Sequence, residues 1–487
     1  MNSGASGLVR HSAVYFIGSL VAVLGGVLML PVYTHALAPA NYGLLETTLR
    51  FVNVCMVVGF VGVRQGYARF YFENDTERWH RSLTFTVLVA NIGIALIVML
   101  PVLTLVALLG KHLGVPEFPV SMGAVLAAWL AAEATFMLGL THLQVRMQST
   151  RYVLAQAARL VLLLGANYLF LHQLGMGFEG AILGNLLAAL ASGIVAALLM
   201  LRGRGLHWSS DQCRKTLHYG LPYIPTALFT YLQTNADRFA VLLFGSMASL
   251  GLLSLASKIG EMALTVFYAP VESVWTPFAF RVHADPDGPQ KIGALFTRYA
   301  ALCVLLALGV SLAAPLAVRL LATSNYASAA GLVPIVALGW VFNFLAELSD
   351  VGILIAKKTH LKPRVAAAAA VIAVLLQLAL TPTFGIYGAA TATTLTYCAL
   401  FAINMVVARR LYRFVVRGRD FIVIACAAGG GYALGHKVYS NFQSIAGTVL
   451  GAAMGLSAYA FALIVCQVVS LKEIRALASR ILGQQPI

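Results

Sequence analysis

Charge is scarce in this 487-residue chain: Asp, Glu, Lys and Arg together make up 10% of it, against 60% hydrophobic residues and a mean hydropathy of +0.85. A soluble chain of this length would form roughly two to four domains with polar surfaces. Too few polar residues exist here to cover them. Carboxylates are scarcer still, 17 against 33 Lys and Arg, which leaves a formal net charge of +16. The six cysteines are scattered without a CxxC pair, so neither a disulfide framework nor a thiolate metal site is expected. No Walker P-loop, HExxH or GxSxG occurs, nor a GxGxxG set between strand and helix, so no cofactor is expected and no catalytic machinery is legible. Long polar connections are missing too. The longest cytoplasmic ones, 65–81 and 279–295, are too short to fold as a separate domain.

Apolar stretches of about 20 residues, the length that crosses a bilayer as a helix, recur along the chain instead. They predict an all-α polytopic membrane protein with about fourteen transmembrane helices: 11–34, 44–64, 82–110, 119–141, 152–173, 178–201, 217–244, 248–278, 296–318, 328–356, 365–381, 386–408, 420–436 and 444–470. The first span is too long for a signal-peptide core and has no small-x-small cleavage site.

The distribution of basic residues orients these spans. With the N-terminus in the cytoplasm, 26 of the 33 Lys and Arg fall on the cytoplasmic side, among them Arg10, Arg64, Arg204, Lys472, Arg475 and Arg480. The opposite side receives three: Lys111, Arg319 and Lys437. Four lie inside spans: Arg50, Arg159, Arg238 and Lys258. This is the positive-inside asymmetry. It assigns the basic excess to orientation and to contact with anionic membrane lipids, not to nucleic acid. An even number of spans then returns the C-terminus to the cytoplasm.

The chain also repeats itself at an offset of 208 residues. Gly43-Leu44-Leu45 with Arg50 returns as Gly251-Leu252-Leu253 with Lys258. In the same register Val63 matches Val271, Tyr67 matches Trp275, Phe70 matches Phe278, and Gly177, Gly180 and Ala181 match Gly385, Gly388 and Ala389. Each copy holds six spans, an even number, so both enter the membrane from the same side, as parallel repeats do. The expected organisation is a six-helix lobe over 1–205, a second over 206–415, and two added helices over 416–487. Pro222, Pro225, Pro270, Pro277 and Pro334 are expected to kink spans seven, eight and ten.

A charge in a hydrophobic helix costs free energy unless it is paired or used. Arg50 and Lys258 occupy the same repeat position, and with Arg238 and Arg159 they are the candidate binders of an anionic substrate. Local pairing is the alternative: Glu46 precedes Arg50 by four residues, Glu261 follows Lys258 by three, and Asp237 adjoins Arg238. Glu133, Glu347 and Asp350 have no cation within one turn of their own helix. With Glu261 and Asp237 they are the candidate ion-coupling carboxylates for H+ or Na+. No metal site is expected. Tyr15, Tyr223, Tyr231, Gln233, Asn235, Trp275, Trp340, Asn343 and Tyr397 flank these positions, where interface aromatics and sugar-binding groups look alike. Asp285-Pro286-Asp287-Gly288 has the DxD form of metal-dependent glycosyltransferases, but its Pro and Gly in a short loop point to a turn.

Several motifs together resemble the polysaccharide-exporting (Wzx-type) flippases of the multidrug/oligosaccharidyl-lipid/polysaccharide exporter superfamily. They are Ala40-Asn41-Tyr42-Gly43-Leu44, Gly220-Leu221-Pro222-Tyr223-Ile224-Pro225, Asp237-Arg238-Phe239, Tyr326 through Pro334, Lys357-Lys358-Thr359, and Phe384 through Thr393. The matches run in order from about residue 10 to 410. The resemblance implies a transporter, not an enzyme, that moves a polyprenyl-pyrophosphate-linked oligosaccharide across the bacterial cytoplasmic membrane by alternating access, with polysaccharide polymerase and export proteins as partners. It implies two six-helix lobes around a cationic cavity; the related lipid II flippases carry essential cavity arginines on helices two and eight, the helices on which Arg50 and Lys258 stand. Lysine at 258 departs from arginine and weakens bidentate binding. The resemblance also implies that 420–470 forms a groove for the lipid tail, beside Gly429-Gly430-Gly431. A cation-coupled small-molecule exporter, a lipid II flippase and a non-transporting subunit of a polysaccharide synthase complex are the competing expectations.

Overall fold

A computed structural model of the protein describes residues 18, 21, 24–109, 120–202 and 206–468. Arg10, Tyr15, Lys111, Arg204, Lys472, Arg475 and Arg480 lie outside the described residues, as do the expected starts of the first and fourth spans.

Among the described residues there are helices and turns and no strand. This follows from the composition: a backbone in hydrocarbon must satisfy its own N–H and C=O groups, and a helix does so within one segment. In chain order the helices are α1 (Leu24–Ala36), α2 (Pro39–Tyr71), α3 (Glu77–Leu109), α4 (Val120–Val145), α5 (Ser149–Tyr168, extended by a π turn to Gln173) and α6 (Gly177–Leu201). There follow α7 (Ser210–Gly220), α8 (Tyr223–Phe244), α9 (Met247–Val282), α10 (Gly288–Leu321), α11 (Val333–Ser349), α12 (Val351–Ile355), α13 (Leu361–Leu411), α14 (Gly418–Phe442) and α15 (Ile445–Val465).

Eleven of these are long and apolar enough to cross a membrane. One of the eleven, the 51-residue α13, breaks at Gly385, whose φ of 57° and ψ of −135° are not helical, and so supplies two spans. With α1 and α8 added, the helices account for the fourteen expected segments, and the protein is an all-α multi-pass membrane protein.

Three local expectations are corrected. The seventh span does not begin at 217: α7 ends at Gly220, and Pro222 sits just before α8, because proline ends one helix and is tolerated at the start of the next. Pro334 does not kink the tenth span. It stands in the first turn of α11, where its missing N–H has no partner to lose. That span is interrupted instead at Asp350, between α11 and α12.

By packing, the chain divides into two compact units, residues 1–254 with 377–389, and residues 255–376 with 390–487. Packing and sequence repetition are different measures, and the 205/206 repeat boundary is not one this division draws. In the first unit α2 packs against α3, α4, α7 and α8, and α6 against α4 and α5. Its core includes Val63, Tyr67, Leu83, Leu138 and Met200. In the second unit Trp275, Phe296, Phe344, Leu348 and Phe414 form the main core. A satellite of Leu308, Leu312, Ile424 and Tyr459 joins α10 to α14 and α15.

The repeat is visible in the backbone. Gly177 and Gly385, matched at the 208-residue offset, both take the left-handed conformation, at φ 58° and 57°, each at the start of a helix. An L-residue at either place would be strained. The matched Gly43 and Gly251 meet each other. A Cβ on Gly43 would lie 1.8 Å from the carbonyl oxygen of Met247, and one on Gly251 2.2 Å from that of Pro39. Pro39 and Met247 are themselves a matched pair, so the contact is reciprocal, as across a two-fold axis. Glycine at both positions lets the first turns of the two helices meet backbone against backbone.

The three glycines of α14 divide their roles. Gly429 and Gly430 have open space where a Cβ would stand, while Gly431 packs on Gly455 of α15, as Gly435 packs on Gly451.

Candidate functional site

The α2 residues Leu49, Asn53, Met56, Phe60 and Arg64 recur at helical spacing and form one wall of a cavity of about 460 Å³ inside the first unit. The facing walls carry Trp129 and Glu133 from α4, Arg159 from α5, Asn185 from α6 and Tyr231 from α8. The cavity is therefore apolar along most of α2, with polar groups converging from five helices, the usual design of a small-molecule site.

Each cation in and around it has a distinct environment. Arg159 is ion-paired to Glu133 across helices, with both side chains largely buried, and its guanidinium lies 5.6 Å from the Phe136 ring centre. One of its nitrogens, Nη1, is buried without a hydrogen-bond partner. On its other side Arg159 reaches a second crevice of about 310 Å³ between α4, α5 and α6, whose walls include Leu140, Leu143, Leu162, Val195 and Leu199.

Arg50 does not line the cavity. It donates from Nη2 to Oε2 of the fully buried Glu46 at 3.0 Å and from Nη1 to Oδ1 of Asn235 at 3.0 Å. Tyr231, which does line the cavity, donates its hydroxyl to the Arg50 carbonyl at 2.9 Å. These bonds tie α2 to α8 and position Tyr231. Arg238 donates from Nη1 to both Asp237 oxygens, at 2.9 and 3.0 Å.

Arg64 is different. Its Nε donates to Thr141 Oγ1 at 3.0 Å, and among the described residues no carboxylate pairs with it. The ionisable residues lining the cavity are thus Arg64, Arg159 and Glu133, which leaves one uncompensated positive charge.

A family model described as polysaccharide biosynthesis protein matches residues 34–331 of this chain. The chain belongs to that family. No curated protein matches it. Among solved structures it is similar to the lipid II flippase MurJ in an inward closed conformation, with a TM-score of 0.71 at 13% identity, covering 93% of this chain and 98% of that one. It is also similar to a multidrug resistance MATE family transporter of the MOP superfamily in its inward-facing conformation, with a TM-score of 0.63 at 15% identity over 81% of this chain and 94% of that one. The outward-facing conformation of such a transporter gives a TM-score of 0.57 at 17% identity over 83% and 95%. At these identities the likeness establishes the fold: this member of the polysaccharide biosynthesis family has the architecture of MOP-superfamily transporters.

The remaining sequence candidates fall in the second unit of this family member. Lys258 and Glu261 lie on α9, and both make interactions there. Asp350 is paired with Lys362 at 2.8 Å. Glu347 is exposed beside the Tyr268 hydroxyl, and Asn343 Nδ2 approaches its Oε1 at 3.5 Å. No group of three or more His, Cys, Asp or Glu suited to a metal occurs among the described residues. The Asp285–Gly288 segment is a turn closed by Gly288 N–H to Asp285 C=O at 2.9 Å, and Lys291 binds both carboxylates. Its hydrogen bond from Lys291 holds the Asp287 carboxyl below its ordinary pKa.

Arg64, Asn53 and Asn185 were missed from sequence. Arg64 was counted with the cytoplasmic cations because the second span was expected to end at residue 64, whereas α2 continues to Tyr71. A signal was present: Arg64 follows Asn53 by 11 residues and Arg50 by 14, close to whole numbers of helical turns.

Proposed function

We propose that this protein moves a polyprenyl-pyrophosphate-linked oligosaccharide from the inner to the outer leaflet of a bacterial cytoplasmic membrane, with both termini cytoplasmic, for surface polysaccharide synthesis. One observation carries this reading: the first-unit cavity keeps an uncompensated arginine, Arg64, among Asn53, Asn185, Trp129 and Tyr231. A guanidinium with free donors is the natural partner of a pyrophosphate, and amide and aromatic groups suit a glycan. An exporter of cationic drugs would need the opposite sign of cavity charge.

In this mechanism Arg64 receives the pyrophosphate. Arg159 adds its unpartnered Nη1, and its ion pair with Glu133 keeps its charge from being costly. The apolar crevice behind Arg159 lies where a hydrocarbon chain would have company. Arg50 and Lys258 remain candidate contacts as the repeat-matched cations, and Arg238 a supporting one. Coupling to H+ or Na+ is assigned to Glu347, which among the five candidate carboxylates is exposed and has no ion pair among the described residues. Glu133, Asp237 and Asp350 are engaged by arginine or lysine, and Glu261 is the remaining alternative.

The test replaces Arg64 with Gln and with Lys and measures surface polysaccharide at matched protein level in the membrane, together with flipping of the lipid-linked oligosaccharide by the reconstituted protein. R64Q is expected to lower both by about tenfold or more, the size of one lost charge-assisted contact, and R64K to retain part. Normal flipping by R64Q refutes the assignment. Arg50→Ala and Lys258→Ala in the same assay decide whether the repeat-matched pair also binds.

A further inference from the structure

A second polar pocket, of about 240 Å³, lies in the second unit, at the helix ends opposite the basic loops. Its floor is Leu312, Pro315 and Val318 of α10. Its rim is Arg319, at the end of α10, and His436 and Tyr439, near the end of α14. The His436 ring stacks on Tyr432, with centres 5.7 Å apart and planes 10° apart, and lies 6.3 Å from the Tyr439 ring. Lys437 is exposed next to His436.

The charge balance here is one-sided. No Asp or Glu occurs in the sequence between Lys291 and Glu347, or between Asp420 and Glu473. The parts of α10 and α14 that build the pocket, and the 3-10 segment Ser324–Gly331 between α10 and α11, therefore bring no carboxylate to it. Arg319 and Lys437 are also two of the three basic residues that the topology places on that side of the membrane. Positive charge there works against the orientation set by the other loops, so a cluster of it calls for a negative partner from outside the chain.

An apolar floor beneath a rim of guanidinium, imidazole and phenol hydroxyls has the polarity gradient of a phospholipid at the membrane interface. We infer that this pocket binds the phosphate of an anionic glycerophospholipid in the leaflet opposite the basic loops. Arg319 and His436 take the phosphate oxygens, and the upper acyl chain lies along Leu312, Pro315 and Tyr432. This site is independent of the cavity in the first unit and of what that cavity carries; naming its leaflet the outer one rests on the proposed orientation.

The test is native mass spectrometry of the full chain in a zwitterionic detergent, titrated with phosphatidylglycerol and, separately, phosphatidylcholine. Wild type is expected to retain phosphatidylglycerol about tenfold better than phosphatidylcholine, because both offer the phosphate but the choline brings a fixed positive charge up against Arg319 and Lys437. Arg319→Gln and His436→Asn are each expected to erase most of that preference, and Arg319→Lys to keep part of it. Arg281→Gln removes the same charge at the opposite helix ends and is expected to leave it intact. Equal retention of the two lipids, an R319Q protein that binds like wild type, or an R281Q protein as impaired as R319Q would overturn the lipid site. Millimolar inorganic phosphate is expected not to displace the lipid; displacement would reassign the pocket to a soluble anion. Elution volume and far-UV dichroism confirm that each variant is folded, and H436N stands in if R319Q is not.

Discussion

Replacing Gly43 with alanine tests the reciprocal contact between the repeat-matched segments. The new methyl carbon would stand 1.8 Å from Met247 O and 3.0 Å from Gly251 N. Real carbon–oxygen approaches do not fall below about 3 Å, so the starts of α2 and α9 must separate by about 1.2 Å, and the atoms in the way are backbone that cannot rotate aside. Overpacking of this kind costs about 1–3 kcal/mol, whereas glycine to alanine in a helix returns about 0.5–1 kcal/mol. The clash therefore wins, and a net loss of about 1–2 kcal/mol is expected. Gly93→Ala is the matching control, because nothing lies within 4 Å of its Cβ position in α3, and only the helix gain applies. The assay is the apparent melting temperature of the detergent-purified full chain, by dye or by loss of the monodisperse peak, at one heating rate. G43A should melt below wild type and G93A at or above it. G251A should behave like G43A, and the double variant should cost less than the sum, since separating the helices once relieves both clashes. If G43A and G93A move together, or the two glycines of the contact add independently, the contact is not as described.

Removing one partner of the Glu133–Arg159 pair should be far worse than removing both. Glu133→Gln or Arg159→Gln alone leaves a largely buried charge unpaired, at about 3–5 kcal/mol, while E133Q with R159Q should recover most of the folded yield measured by fluorescence-detected size exclusion. Gly385→Ala should lower the melting temperature by forcing an alanine to φ 57°, a cost of about 1–2 kcal/mol, while Gly429→Ala, with open space at its Cβ, should not.

The cavity gives the buried cations unequal roles. Glu46 is fully enclosed and spends its charge on Arg50, whose remaining bonds run to Asn235 and, through its carbonyl, to Tyr231. That arrangement joins two helices and sets the position of a cavity residue. Arg64, which pairs with no carboxylate among the described residues, is the cation to which the proposed mechanism assigns a charged guest. A sequence lists both as arginines in a hydrophobic context; which one is neutralised depends on the side chains that other helices bring.

Much was legible because the membrane makes local sequence decisive. A backbone in hydrocarbon must be helical, so apolar run length translated almost directly into the long helices, with α13 supplying two spans, while the short polar α7 and the break before α12 were not foreseen. Duplication left its register in Gly43 and Gly251 and in Gly177 and Gly385, which only glycine can satisfy. Helix ends were less legible: α2 runs on to Tyr71, seven residues beyond the expected end of its span, and Arg64, read only as a charge after that end, lies within the helix and lines the cavity. The sequence by itself determined the class of the protein, its number of spans and the repeat. Pairings such as Arg159 with Glu133 and Asp350 with Lys362, the lack of a carboxylate partner for Arg64 among the described residues, and the pocket built by Arg319 with His436 were decided by tertiary structure. Such partners come from different helices, and periodicity along one helix carries no information about the neighbour it faces.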